Sequence, residues 1–403
     1  MTHRTLPLVG LALLAASPLL PAQQRGVVTF GEALDDLTVG GSLRMRVENR
    51  NATPPVVGAP ADTLGTLRAR VFLAATFSER LGAKVEFQHV VADQGQPSDE
   101  FLYQAWLAWS DVVPGGDLQV GRMQLRYGSQ RMISDLQWSM VGRAWDGAVW
   151  SQDFGGVHGD LFWTQPVEGM SIPTGTEQAF GGAYFEFDAG PLDIDVYGLS
   201  RRDRMVGGMG RTDQTYGVLL ETDPEQPWTF SFEGATQVGS SGMLDAAGSA
   251  FAVRTDFAVT DRFRVGVGYE LATGDDDPTD GDDEAFIPLF DFVHAYHGNQ
   301  DLFTWTNLQD IVVRTSFQLD EDWILYLNLH DFSLAEEAGG IPNPGLTAVA
   351  GEDHLGTEVD FGVKGNLGPG VVLWAGASAF QAGDAIQNGD DQLWLFANLD
   401  LWL

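Results

Sequence analysis

QLWLFANLDLWL, residues 392–403, ends the chain, and its two parities carry different chemistry. Leu393, Leu395, Ala397, Leu399, Leu401 and Leu403 share one parity, while Trp394, Phe396, Asn398, Asp400 and Trp402 share the other. Successive side chains of a strand point to opposite faces, so the stretch reads as a strand with one wholly apolar face. A strand that ends a chain leaves a row of backbone N–H and C=O groups needing partners, and in lipid each unsatisfied group costs several kcal/mol. The arrangement that satisfies them is a barrel closed by pairing the last strand with the first. The leucine parity then faces lipid and Asp400 faces the lumen.

The same alternation recurs upstream. Leu355, Thr357, Val359, Phe361 and Val363 are interleaved with Glu358, Asp360 and Lys364, and Leu67, Ala69, Val71 and Leu73 with Arg68 and Arg70. About 18 such segments follow Leu37, each of roughly the length that crosses a bilayer when tilted. Their connections are expected to alternate strictly. Short turns, SERLG (78–82), DAGPLD (188–193), VTDRF (259–263), LDEDW (319–323) and LGPG (367–370), alternate with long polar loops at 49–63, 201–214 and 335–354. Trp109, Trp228, Phe263 and Trp323 stand at strand ends beside the short turns, where an interfacial aromatic girdle belongs. The fold class expected is all-β: a transmembrane, antiparallel, up-and-down β-barrel of about 18 strands, with short periplasmic turns and long extracellular loops.

Composition agrees with an exported barrel. The first residues carry Arg4, an apolar stretch from Leu6 to Leu20 and a small-residue exit at Ala22, which reads as a signal peptide over 1–22. Residues 23–36 then form a periplasmic segment, and 37–403 the barrel. The chain has no cysteine, so disulfide and thiolate chemistry are excluded. Its 56 acidic against 22 basic residues give a formal charge of −34, which excludes nucleic acid as a partner because phosphate binding needs clustered cations. No GxSxG, HExxH or P-loop pattern occurs, and an enzyme is not expected.

Several stretches carry a resemblance: TFGEALDDLTVGGSLRMRVENRN (29–51), TLGTLRARV (63–71), LQVGRMQLRYGSQRMISDLQWSMVGRAWDGAVW (118–150), QTYGVLLE (214–221), residues 269–313 and HLGTEVDF (354–361). Through them the chain resembles the alginate-export family of outer-membrane porins over nearly its whole mature length. The resemblance implies a monomeric, cofactor-free, 18-stranded channel in the outer membrane, inserted by the barrel-assembly machinery, surrounded by lipid, and passing small solutes or an anionic polysaccharide.

Candidate pore-lining residues follow from parity and from the motif at 118–150. Arg44, Arg46, Arg68, Arg70, Arg254, Arg264 and Arg314 point away from lipid, where an arginine at mid-depth would cost about 2–4 kcal/mol. Arg122, Arg126, Arg131 and Arg143 cluster in the motif, and Glu358 and Asp360 share the inward parity. Such guanidiniums could pass a carboxylate from site to site, or could pair with lumen acids, among them Glu48, Glu86, Glu186, Asp193, Asp195, Glu233, Asp256 and Glu270, and brace the wall. Acidic residues rival arginines on that parity, so a general or cation-tolerant porin and a loop-plugged structural barrel stand beside the polyanion duct.

One long outward loop, roughly 272–309, opens on GDDDPTDGDDE (274–284) and carries Asp275, Asp276, Asp277, His294, Gly298 and Asp301 in the family pattern. Pro278 takes a position that an EF-hand needs for a ligand, so that motif fails. Calcium held weakly at Asp280, Asp282 and Asp283 is the alternative to plain solvation, and no metal site is assigned.

Overall fold

The computed structural model describes residues 36–51, 62–92, 99–168, 176–205, 210–343 and 345–403. The expected signal peptide lies outside them, as does the segment that follows it up to residue 35. Eighteen long strands form one closed, antiparallel wall. β1 (Asp36–Arg50), β2 (Asp62–Ser78), β3 (Leu81–Ala92), β4 (Asp99–Val113), β5 (Gly116–Met123) and β6 (Trp145–Asp153) make its first third. β7 (Val157–Pro166), β8 (Thr176–Asp188), β9 (Leu192–Met205), β10 (Arg211–Thr222), β11 (Trp228–Ser241), β12 (Leu244–Ala258) and β13 (Phe263–Ala272) continue it. β14 (Asp282–Asp283) is a two-residue piece inside a loop, paired in parallel with Asp245 and Ala246 of β12. β15 (Leu308–Gln318), β16 (Trp323–Ser333), β17 (His354–Gly368), β18 (Val371–Ala382) and β19 (Gln392–Trp402) complete the circuit.

Closure is the pairing that the terminal sequence demanded: β19 runs antiparallel to β1, with Arg44 opposite Asp400 and Val47 opposite Ala397. No edge strand remains, so every stave has a neighbour on both sides. The period of two sorts side chains as expected. Phe87, Val71, Ile311 and Leu395 stand exposed on the outside, where lipid replaces water, while Glu86, Arg70, Asp310 and Trp394 on the alternate positions are buried. Trp109 and Trp228 are exposed on the outer face beside periplasmic turns.

The connections sort into two kinds with two departures from the expected alternation. Of the long loop expected over 201–214, residues 201–205 belong to β9 and 211–214 to β10, because the strand pairing of the wall continues through them. β11 and β12 meet at the extracellular end through Gly242 and Met243 alone. Elsewhere on that side the described loops are long, and two of them, 124–144 and 273–307, turn inward. An extra residue in β4 helps to receive them: Glu86 pairs with Gln104 and Phe87 with Leu102, so Tyr103 is bulged and both Tyr103 and Gln104 are buried in the lumen.

Candidate functional site: the loop-filled lumen

The inward loops meet in the barrel interior as two extended segments. Ile133 bridges Phe290 in parallel, with Ser134 N donating to Phe290 O at 2.9 Å and Phe290 N to Met132 O at 3.0 Å. Around this junction Leu125, Met132, Ile133, Phe286, Leu289, Phe290 and Trp305 of the loops pack on Trp145, Phe162 and Phe180 of the wall. Ala235, Ala250, Ala252 and Ala272 supply inward positions small enough to admit them. Gly248 does the same at closer range, since a Cβ there would meet the Phe286 backbone at 2.6 Å. An apolar core of this kind inside a barrel is a constriction built from side chains, held together by burial at roughly 25 cal/mol per Å².

Most of the predicted arginines hold that constriction. Arg44 donates from Nη1 to Gln137 O at 2.6 Å and from Nε to Asp400 Oδ1 at 2.6 Å. Arg46 donates to Trp138 O at 2.5 Å while lying 3.7 Å from the Trp138 ring centroid. Arg68 donates to Ser139 O at 3.1 Å, and Arg70 to Gln137 Oε1 at 2.8 Å with its guanidinium over Tyr103. Arg143, itself on the loop, reaches across to Asp291 O at 2.8 Å, and Arg126 pairs with Asp135 at 2.7 Å. Arg201 joins the set, pairing with Asp213 at 2.5 Å and donating to Pro288 O at 3.1 Å. Loop carbonyls that leave water must find donors, and these guanidiniums are the donors.

On the opposite wall the fastening is ionic. Glu270 of β13, with no exposed surface, accepts from Arg131 of the loop at 2.9 Å and from Arg254 of β12, and His297 Nε2 lies 3.2 Å from it. Both guanidiniums lie over the Tyr296 ring, at 3.7 and 4.5 Å. Burial raises the Tyr296 hydroxyl above its ordinary pKa, against the two cations, and it donates to Ser129 O. Arg314 pairs with Asp256, and Arg264 donates to Gln226 O at the periplasmic rim.

Glu358 and Asp360 seat the end of the second loop. Gln300 N donates to Glu358 Oε1 at 3.0 Å and Asn299 N to Asp360 Oδ2 at 3.2 Å. The preceding Gly298 has φ +81, and a Cβ there would sit 2.6 Å from the Glu358 carboxyl carbon. Asp301 is also left-handed, at φ 57, and lies 3.2 Å from His294 Nδ1. His294 stacks flat on Trp138 with ring centroids 3.8 Å apart, beside Trp374, Trp394 and Phe396. His294 and His297 therefore serve different partners and do not converge.

The acidic run stays at the rim. Carboxylates of Asp275, Asp276 and Glu284 approach one another, as do those of Asp280, Asp282 and Glu284, whereas Asp283 pairs with Arg211 at 2.8 Å. The Thr279 hydroxyl and N–H both donate to Asp277 and lower its carboxyl. Asp275 and Asp277 also cap N–H groups two residues on, so much of this run is satisfied by its own turns.

Arg122 departs from the expected lumen placement. It shares the parity of exposed Val120, pairs with Asp146 at 2.8 Å and stands on the outer face of the wall, because the regular alternation of β5 turns Met123, not Arg122, to the core. Gln137, Trp138 and Tyr296, which no motif or parity in the sequence marks, lie in segments with no strand periodicity. The one signal they offered was a density of aromatic and amide residues unusual for a solvated loop.

Four acids of neighbouring strands stand apart from these pairs. Glu186, Asp193, Asp195 and Glu221 face the lumen on β8, β9 and β10, with Glu186 opposite Asp195 and Glu221 opposite Asp193. Among the described residues none of the four forms an ion pair with arginine or lysine, and Glu186 and Asp193 are exposed. Like charges directly opposite in a sheet repel.

A family model described as alginate export matches residues 35–398. No curated protein sequence matches the chain. Among solved structures, Pseudomonas aeruginosa OccK5 (OpdH) is similar with a TM-score of 0.67 at 10% identity, over 92% of this chain and 99% of that one. Acinetobacter baumannii OccAB4 gives 0.67 at 12%, over 93% and 100%. Pseudomonas aeruginosa OprD gives 0.66 at 12%, over 94% and 99%. At these identities the likeness is one of fold.

Proposed function

The chain belongs to the alginate-export family and is an outer-membrane channel rather than an enzyme; from that premise we propose that it passes small neutral or cationic solutes through a loop-narrowed lumen. The observation that carries this is the imbalance of free charge. The arginines that could draw an anion inward are engaged by loop carbonyls and by buried acids, while Glu186, Asp193, Asp195 and Glu221 have no basic partner among the described residues. A water-filled passage lined by carboxylates without basic partners concentrates cations and repels anions.

Family membership favours a second reading on one specific feature. Arg44, Arg46, Arg68 and Arg70 form a cross-strand group on β1 and β2, and each is held by residues 137–139 of the same loop. Withdrawal of that loop would present four guanidiniums to a uronate chain. Liposome swelling separates the two. Lysine is expected to enter faster than glucuronate, and faster entry of glucuronate would overturn the cation preference in favour of the polyanion duct.

A further inference from the structure

Arg122 and Asp146 place a full ion pair on a surface meant for lipid. They stand opposite one another near the extracellular ends of β5 and β6, with both Asp146 oxygens accepting from Arg122 at 2.8 Å and Arg122 Nη1 donating to Leu102 O at 2.9 Å. The Asp146 side chain is 51% exposed. β5 has 8 residues, fewer than the about 9–11 that a tilted membrane strand needs.

The depth of the pair follows from counting outward positions up from the periplasmic turns. On β15 Phe317, Thr315, Val313 and Ile311 precede Gln309, and on β16 Leu325, Leu327 and Leu329 precede Asp331. On β5 only Leu118 and Val120 precede Arg122, and on β6 only Trp150 and Ala148 precede Asp146 above Gln152. The polar boundary is thus about two outward positions lower here than on β15, or about 9 Å of depth at a 45° tilt. Charges at that depth need polar company that acyl chains do not supply.

The surface beside them is shaped to bring it. A groove of about 580 Å³ lies on the outer wall, its floor made by Ala105, Gly121, Gly147 and Ala148 and its sides by Leu102, Val120 and Trp163, with Arg122 and Asp146 at its head. Trp163 is 66% exposed and leans the other way, over Gly181, where a Cβ would meet its ring at 2.5 Å. The groove therefore stays open beside the Trp163 ring.

We propose that this groove binds a single phospholipid with a phosphoethanolamine headgroup, its phosphate on Arg122, its primary ammonium on Asp146 and an acyl chain along Trp163. Charge complementarity selects the headgroup. A cation and an anion side by side match a zwitterion of the same span, whereas a purely anionic headgroup would place a second negative charge against Asp146. The site lies outside the lumen and does not depend on which solute the channel carries.

Native mass spectrometry of the intact barrel in mixed micelles tests it. With phosphatidylethanolamine and phosphatidylglycerol at equal concentration, one phosphatidylethanolamine should be retained, about tenfold over phosphatidylglycerol. Asp146→Asn should erase the preference, and Ala148→Trp, which fills the groove and leaves the ion pair in place, should abolish retention of either lipid. Arg122→Leu/Asp146→Leu places only apolar groups on a lipid face, so the heat-modifiable fold should persist while the preference is lost. Equal retention of the two lipids, unchanged retention in Ala148→Trp, displacement by a phosphorylated glycolipid, or a second copy of the chain in place of lipid would each overturn the proposal.

Discussion

Glu270 holds two arginines and a histidine with no exposed surface of its own, which makes it the residue whose neutralisation the interior tolerates least. Glu270→Gln strips the counter-charge from buried Arg131 and Arg254. Breaking one side of such an arrangement costs about 3–5 kcal/mol, so the urea midpoint of the detergent-solubilised barrel should fall, and an unchanged midpoint would contradict the role given to it. Gly298 is the second sensitive position. An alanine there combines φ +81 with a Cβ 2.6 Å from the Glu358 carboxyl, a strain of about 1–3 kcal/mol that unseating the loop relieves. Single-channel recordings of Gly298→Ala should show larger or noisier conductance than the parent, while identical traces would mean that this loop end does not narrow the passage. At this scale the sequence was a mixed guide. The inward parity of Arg44, Arg46, Arg68, Arg70 and Arg254 was legible, because each lies within a regular alternation. Arg122 is not legible in this way, because Gly121 and Met123 beside it obscure which face of β5 is apolar.

At the scale of elements, strands declared themselves and loops did not. A strand in lipid must alternate, so β17 and β19 are outlined by period alone from Thr357 to Val363 and from Leu393 to Leu403, whereas Leu355, expected on the same parity, sits in a register irregularity opposite Phe332 and Ser333 and is buried. The segment at 124–144 has no period, and its inward turn depends on contacts with a wall far away in sequence, such as Arg46 with Trp138. The same holds for the short β11–β12 connection, whose Gly242 accepts a tight turn that composition alone did not single out. Because the first inward loop is fastened by guanidinium–carbonyl bonds, loosening them should open it. Arg46→Ala combined with Arg68→Ala removes charge-assisted bonds worth about 1.5–3 kcal/mol each. The expected outcome is a higher unitary conductance with new subconductance states, and a conductance at the parental value would assign these arginines to the wall rather than to the constriction.

For the whole molecule, a formal charge of −34 does not set the fold, which follows from closure and from the two faces of the wall, but it does set the field in which solutes arrive. Salt shortens the reach of that field from about 10 Å at 0.1 M to about 3 Å at 1 M. Cation preference should accordingly weaken with ionic strength, and the acidic lumen positions should account for a large share of it at low salt. Replacement of Glu186, Asp193, Asp195 and Glu221 by their amides removes four lumen acids that have no arginine or lysine partner among the described residues, and leaves the extracellular acidic loop untouched. The most direct measurement is the zero-current potential of the purified channel in a planar bilayer under a tenfold potassium chloride gradient at low salt. The predicted result is a potential of the sign set by potassium, moving toward zero in the four-amide variant. A potential of the opposite sign, or one that the four substitutions leave unmoved, would contradict the account.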